Sequence, residues 1–267
     1  MARTTLSEYM QLIETHFASL GATDVLDLGD GYSKILRPDR ISGTALDHLS
    51  KAFAEVLAAS QFAQWRHINY FTFSRLFDAI AQRIDVPIIL ETGSSAHGVN
   101  SSALFASLAR TRSGRFDTVD LNPQTVQRVS AMLRERFGED DRLTCHRGDS
   151  VEFIANYKHT ANVAYLDSYD LNPDDFIGSA AHGLREFEAL LPKLDPGCAL
   201  ILIDDTPKTR EIFRKMCPAD YLQAVDRHMI STGRLPGKGE LIVEAIRDDK
   251  RFQILDWEYQ LLLLYRS

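Results

Sequence analysis

The chain has no apolar run long enough to cross a bilayer, and its opening, MARTTLSEYMQLIETHF, has no apolar core ahead of a small-residue cleavage site. Cytoplasmic residence without a membrane partner is the expectation. Cysteine is scarce: Cys145, Cys198 and Cys217 are too widely spaced for a disulfide framework or a zinc cluster and read as buried free thiols. Positive charge is in deficit, with 30 Lys and Arg against 37 Asp and Glu and a net charge of -7, which argues against a nucleic-acid partner. Two phosphate-holding patterns are missing as well. The Gly-containing turn at 93–98 lacks G-x-G-x-x-G spacing, and GRLPGK at 233–238 is one residue short of a P-loop and is followed by Gly239 rather than Ser or Thr.

What remains is an ordinary globular composition, 45% hydrophobic and 25% charged, over 267 residues. Residues 1–84 read as a mainly helical extension. A helix is predicted from Thr5 to about Leu20, a small hairpin within Val25 to Pro38, and further helices around Ala45 to Leu57 and Phe73 to Ile80. Between the last two, Trp65, His67, Tyr70 and Phe71 form an aromatic cluster. Packing against a sheet is its ordinary explanation, and a substrate lid is the sharper one.

From Pro87 onward strands and helices alternate over 85–267, which predicts a doubly wound, mostly parallel sheet covered on both faces. The stretch Ile88 to Ser102, IILETGSSAHGVNSS, is its opening strand, turn and helix. Further strands are expected at 115–119, 143–146, 163–166 and 198–203. Phe252 to Glu258 and Gln260 to Tyr265 form a closing hairpin that adds an antiparallel strand. Helices are expected at about Ser179 to Leu191 and Gly239 to Arg247.

Successive strands end in carboxylates: Glu91, Asp120, Asp149, Asp167 and the pair Asp204-Asp205. A single such acid is ordinary turn or cap chemistry. Because the carboxyl ends of strands line the ligand crevice of a doubly wound sheet, the recurrence predicts that these side chains converge there. Asp120 is placed to accept both hydroxyls of a ribose, and Asp149 with Ser150 to bond an adenine. With little to hold a pyrophosphate, the ligand that fits is an adenosine without phosphates.

ETGSSAHGVNS, TVDLNPQTVQRVSAML, RGDSVEFI, VAYLDSYD and LLPKLDPGCALILIDDT, in that order, resemble the successive motifs of class I S-adenosylmethionine-dependent methyltransferases. Within that class they are similar to the metal-dependent O-methyltransferases of the catechol/caffeoyl-CoA and macrocin types. The resemblance runs from about Pro87 to Arg266. It implies a seven-stranded sheet and O-methylation of a small hydroxylated molecule. Glu91, Gly93 and Ser95 would surround the methionine end of the cofactor, with Ser94, Asn122 and Asp167 as further cofactor contacts. Asp120 would hold the ribose, and Asp149 and Ser150 the adenine. It further implies a divalent cation, Mg²⁺ by donor type, on Asp167, Asp204 and Asp205.

After Asp167, itself a catalytic candidate, the chain reads Ser168-Tyr169-Asp170, without the lysine of the catechol enzymes, so the base is sought in Asp205 or His182; a helical His such as His182 is more often solvated or capping. The turn is also longer than in those enzymes, which leaves His97 without a role. A fold relative serving as a binding or assembly module is the alternative, a nicotinamide dehydrogenase is disfavoured, and the oligomeric state, a homodimer included, is open.

Overall fold

A computed structural model describes Glu8 and Gln11 and residues 25–29, 32–35, 51–59, 69–95 and 101–267. Glu8 and Gln11 are helical; the rest of the helix expected from Thr5, and Trp65, His67 and His97, lie outside the described residues. Val25–Gly29 (β1) and Tyr32–Ile35 (β2) pair as the expected antiparallel hairpin. Two helices, Lys51–Ala59 (α1) and Asn69–Arg83 (α2), precede the large sheet.

The sheet is built from Ile88–Thr92 (β3), Arg115–Asp120 (β4), Leu143–Arg147 (β5), Val163–Leu166 (β6), Ala199–Ile203 (β7), Phe252–Trp257 (β8) and Leu261–Tyr265 (β9). Its strand order is β5-β4-β3-β6-β7-β9-β8. The order reverses at β3, which pairs with β4 on one side and β6 on the other. Such a switch point opens a crevice at the strands' carboxyl ends. The last strand slots between β7 and β8 and runs against both.

Connecting these strands are Ser101–Thr111 (α3), Pro123–Phe137 (α4), Ser150–Ala155 (α5), Phe176–Leu190 (α6), Arg210–Met216 (α7), Ala219–Thr232 (α8) and Glu240–Ala245 (α9). The pair α7 and α8 fills 210–232, where no element was expected. Phe176, Phe213, Ala224 and Val225 bury a small core of their own there.

Alternate residues of the central strands go to opposite faces, so β7 and β9 read as unbroken apolar runs. Leu200, Leu202, Leu262 and Leu264 join one core with Phe53, Phe73 and Phe105. Ile201, Ile203, Leu261 and Leu263 join another with Ile154, Phe187 and Ile242. The aromatic cluster before β3 behaves as packing where it is described: Tyr70 and Phe73 are buried, and the Phe73 ring meets Phe105 at 5.7 Å and Tyr165 at 5.4 Å, edge to face. The N-terminal helices thereby share the sheet's core. Among the described residues no helix is long and apolar enough to cross a membrane. The three cysteines are free and half-buried.

Phe105 also stacks on Phe77 and Phe116, so its removal leaves a cavity between helix and sheet. Phe105→Ala should lower the unfolding free energy by about 3–5 kcal/mol in a denaturant titration. A loss below about 1 kcal/mol would mean that this layer is not packed as described.

Candidate active site

Three strand ends are held together at one turn. Gly93 follows β3 at φ +76°, where a Cβ would stand 2.3 Å from the Asp167 carbonyl oxygen, so only glycine allows the turn to lie against the end of β6. Its amide donates to the Val119 carbonyl on β4 at 2.9 Å, and the Asp167 amide donates to the Thr92 carbonyl at 3.0 Å. Beyond the turn lies a cavity of about 640 Å³. Gly93, Ser94, Ser95, Asp120, Asp149, Ser150, Asp167, His182, Asp204 and Asp205 all line it. The acids of four strand ends therefore share one wall.

Two candidate residues stand apart from that wall. Asn122 caps α4, accepting from the Gln124 amide at 2.9 Å, and its own amide donates to Asp120 Oδ1 at 2.7 Å. Glu91 is fully buried behind the turn, where Ser102 Oγ donates to its Oε2 at 2.5 Å while Oε1 has no partner. Burial pushes its carboxyl up to about 7 against the hydroxyls of Ser101, Ser102 and Thr118.

Asp120 Oδ2 accepts from the Ser94 amide at 3.1 Å, which fixes the carboxylate at the cavity wall. Burial raises its pKa, against the amides of Asn122 and Ser94. Asp149 caps α5 through the Glu152 amide at 2.9 Å and so holds Ser150 at the wall. His182 is buried, unlike the solvated or capping histidine that its place on a helix suggests. Its Nε2 lies 3.1 Å from Ser150 Oγ and 2.9 Å from Ser168 Oγ, and Ser168 Oγ donates to Glu186 at 2.6 Å. Tyr169, at φ +58°, stacks on the imidazole at 5.2 Å.

On the same wall one oxygen from each of Asp167, Asp204 and Asp205 lies within 4.8 Å of the others. The acids are densely served by donors. Lys238 Nζ lies 2.7 Å from Asp167 Oδ1 and 3.1 Å from Asp205 Oδ2. Tyr165 donates to Asp167 Oδ2 at 3.1 Å, Tyr259 to Asp205, and Gln260 and Asn69 to Asp204 at 2.8 and 3.2 Å. Burial and the charge of Asp204 push Asp167 well above the usual carboxylate range, against Lys238. For Lys238, burial alone would lower the pKa, but Asp167 and Asp205 hold it well above the ordinary lysine value. Asp205 itself sits at φ +41°, a strained backbone of the kind stored at functional sites.

Asn69, Tyr259 and Lys238 were missed by sequence reasoning. Asn69 lay beside the aromatic cluster, Tyr259 in the turn of the closing hairpin, and Lys238 in the rejected P-loop match. None carries a strand-end signal.

A sheet of this order, with an antiparallel pair at one edge, matches the Rossmann-like methyltransferase fold. Residues 90–206 match the family model described as "Methyltransferase domain". A Staphylococcus aureus structure assigned as a caffeoyl-CoA O-methyltransferase superposes with a TM-score of 0.53 at 14% identity, over 87% of this chain and 97% of that one. The SAH-bound Podospora anserina methyltransferase PaMTH1 gives 0.49 at 14% identity, over 93% and 100% of the two chains. At 14% identity the likeness to the Staphylococcus aureus structure is one of fold. No curated protein matches the sequence.

The raised Glu91 predicts a pH signature. A carboxyl whose folded pKa lies above its unfolded value stabilises fully below the unfolded value, near 4.5, and loses that contribution as pH rises through about 7. The stability of Glu91→Gln relative to the parent should therefore increase by about 3 kcal/mol between those limits and stay level above them. A difference that does not change with pH would show that Glu91 titrates normally.

Proposed function

We propose that the protein is an S-adenosylmethionine-dependent methyltransferase that methylates a hydroxyl of a small acceptor. The observation that carries this reading is a single cavity, within the range of about 300–1,000 Å³ usual for small-molecule sites, with a ribose-type acceptor at one place and a carboxylate cluster at another. Adenine fits beside Ser150, where the imidazole of His182 and the Ser168 hydroxyl fix the Ser150 Oγ. The ribose hydroxyls meet Asp120, and the methionine portion follows the turn at Gly93, Ser94 and Ser95.

That placement directs the sulfonium toward Asp167 and leaves the wall of Asp204, Asp205, Asn69 and Tyr259 for the acceptor. In the transfer the acceptor oxygen bonds to the methyl carbon, the carbon–sulfur bond breaks to give S-adenosylhomocysteine, and the hydroxyl proton passes to a carboxylate. Asp205, at the wall, is the assigned base. His182 is occupied at the Ser150 end and serves the cofactor side. Holding oxygen and methyl in line is the main contribution of such a site.

The resemblance adds Mg²⁺ on Asp167, Asp204 and Asp205. Such an ion, held by these three carboxylates, would make an acceptor hydroxyl easier to ionise. The bridging Lys238 weighs against it, and the transfer derived above needs no step through a metal.

Isothermal titration with S-adenosylhomocysteine tests the reading. The wild type should bind, and Asp120→Ala should weaken binding by about tenfold to a hundredfold, the worth of one or two hydrogen bonds to a charged group. Unchanged affinity in the variant would remove the ribose assignment. Binding without methyl transfer to any hydroxylated compound would favour the binding-module alternative.

A further inference from the structure

We propose that Lys238 is the resident cation of the Asp167, Asp204 and Asp205 cluster, a positioning residue that holds these acids in place of a divalent metal. The proposal deepens the methyltransferase reading and rests on it only for the reaction that the cluster serves.

The loop that delivers the lysine is built for close approach. Helix α8 ends at Gly233 in the left-handed region, and the chain then presses against the end of β7. The Lys238 amide donates to the Asp205 carbonyl at 2.9 Å, and the Gly239 amide to Thr206 Oγ1 at 3.0 Å. A Cβ on Gly237 would stand 2.7 Å from the Asp205 carbonyl oxygen, and one on Gly239 would stand 2.6 Å from the Thr206 side chain. On the other side, the Lys238 carbonyl oxygen lies 2.3 Å from where a Cβ on Gly183 of α6 would be. Substitution at any of these glycines forces the loop away. Arg234 anchors the loop's start through Glu240 and Glu244, each at 2.7 Å.

The lysine side chain is 3% exposed, so its ammonium has no solvent to return to and is fixed between Asp167 and Asp205. Every carboxylate oxygen of the cluster already has a protein donor within reach, from Lys238, Tyr165, Tyr259, Gln260 or Asn69. A dication on the same carboxylates would face the ammonium across one carboxylate group, in surroundings where like charges repel strongly. The ammonium and the dication are competitors for the same acids. The sequence GRLPGKG therefore has a purpose unrelated to phosphate: Gly237 and Gly239 let Lys238 reach the end of β7.

The test is a Mn²⁺ titration of the full chain, followed by the electron paramagnetic resonance of free Mn²⁺ in the presence of S-adenosylhomocysteine. The wild type should show no saturable site below about 1 mM. Lys238→Met should create one, at least about a hundredfold tighter, because a fixed like charge has gone. Adding Asp204→Asn should abolish it, and Lys238→Arg should behave as the wild type does. A merely structural lysine would not make metal affinity rise on its removal.

A wild-type site that saturates below about 1 mM and is lost in Asp204→Asn overturns the proposal. So does a Lys238→Met protein that melts like the wild type yet gains no Mn²⁺ affinity. Should Lys238→Met fail to fold, the wild-type and Lys238→Arg titrations decide alone. Failure of the wild type to bind S-adenosylhomocysteine would sink the methyltransferase reading and leave the Mn²⁺ comparison intact.

Discussion

The close approach of the Gly93 turn to the backbone of Asp167 is the contact on which the site depends. It joins the ends of β3, β4 and β6 through the Val119 and Thr92 carbonyls, and that junction sets where Asp120 and Asp167 stand relative to each other. A side chain at position 93 would have to push β3 and β6 apart, and the cavity wall would part with them. The apolar strands behind the junction make it rigid. Ile89, Leu90, Ala164 and Leu166 are buried, and both faces of the sheet are covered.

That rigidity makes an otherwise costly arrangement tolerable. Bringing the acids of four strand ends to one cavity desolvates charges that repel one another, and the raised pKa of Asp167 and of Asp120 is the local sign of that cost. It is met by donors drawn from elements remote in sequence: Asn69 from α2, Tyr259 and Gln260 from the closing hairpin, and Lys238 from the loop after α8. Helix α2 is thus part of the cavity wall as well as of the core, because Asn69 reaches Asp204 from the same helix that buries Tyr70 and Phe73. The antiparallel strand β9 has a similar double role, pairing with β7 and placing Tyr259 and Gln260 at its leading end.

The βα alternation was legible because each strand is a short apolar run closed by an acid and a turn, and the strand-end acids announced the cavity. The same signals are blind to what approaches from the side. Lys238 looked like a failed phosphate loop because its glycines serve contact with Asp205 and Thr206, which no local pattern reports. His182 looked like a solvated helix residue because its burial is made by Ser150, Ser168 and Tyr169, contributed from the ends of two other strands. The helices α7 and α8 escaped notice because they bury only a small separate core, which leaves a weak apolar period between Arg210 and Thr232.

The most direct test of the account is a crystal structure of the protein with S-adenosylhomocysteine bound. The account predicts the ribose hydroxyls on the Asp120 carboxylate, the adenine beside Ser150 and His182, and the sulfur facing Asp167. Density for the ligand elsewhere, or an adenosine that leaves Asp120 and Ser150 untouched, would contradict it.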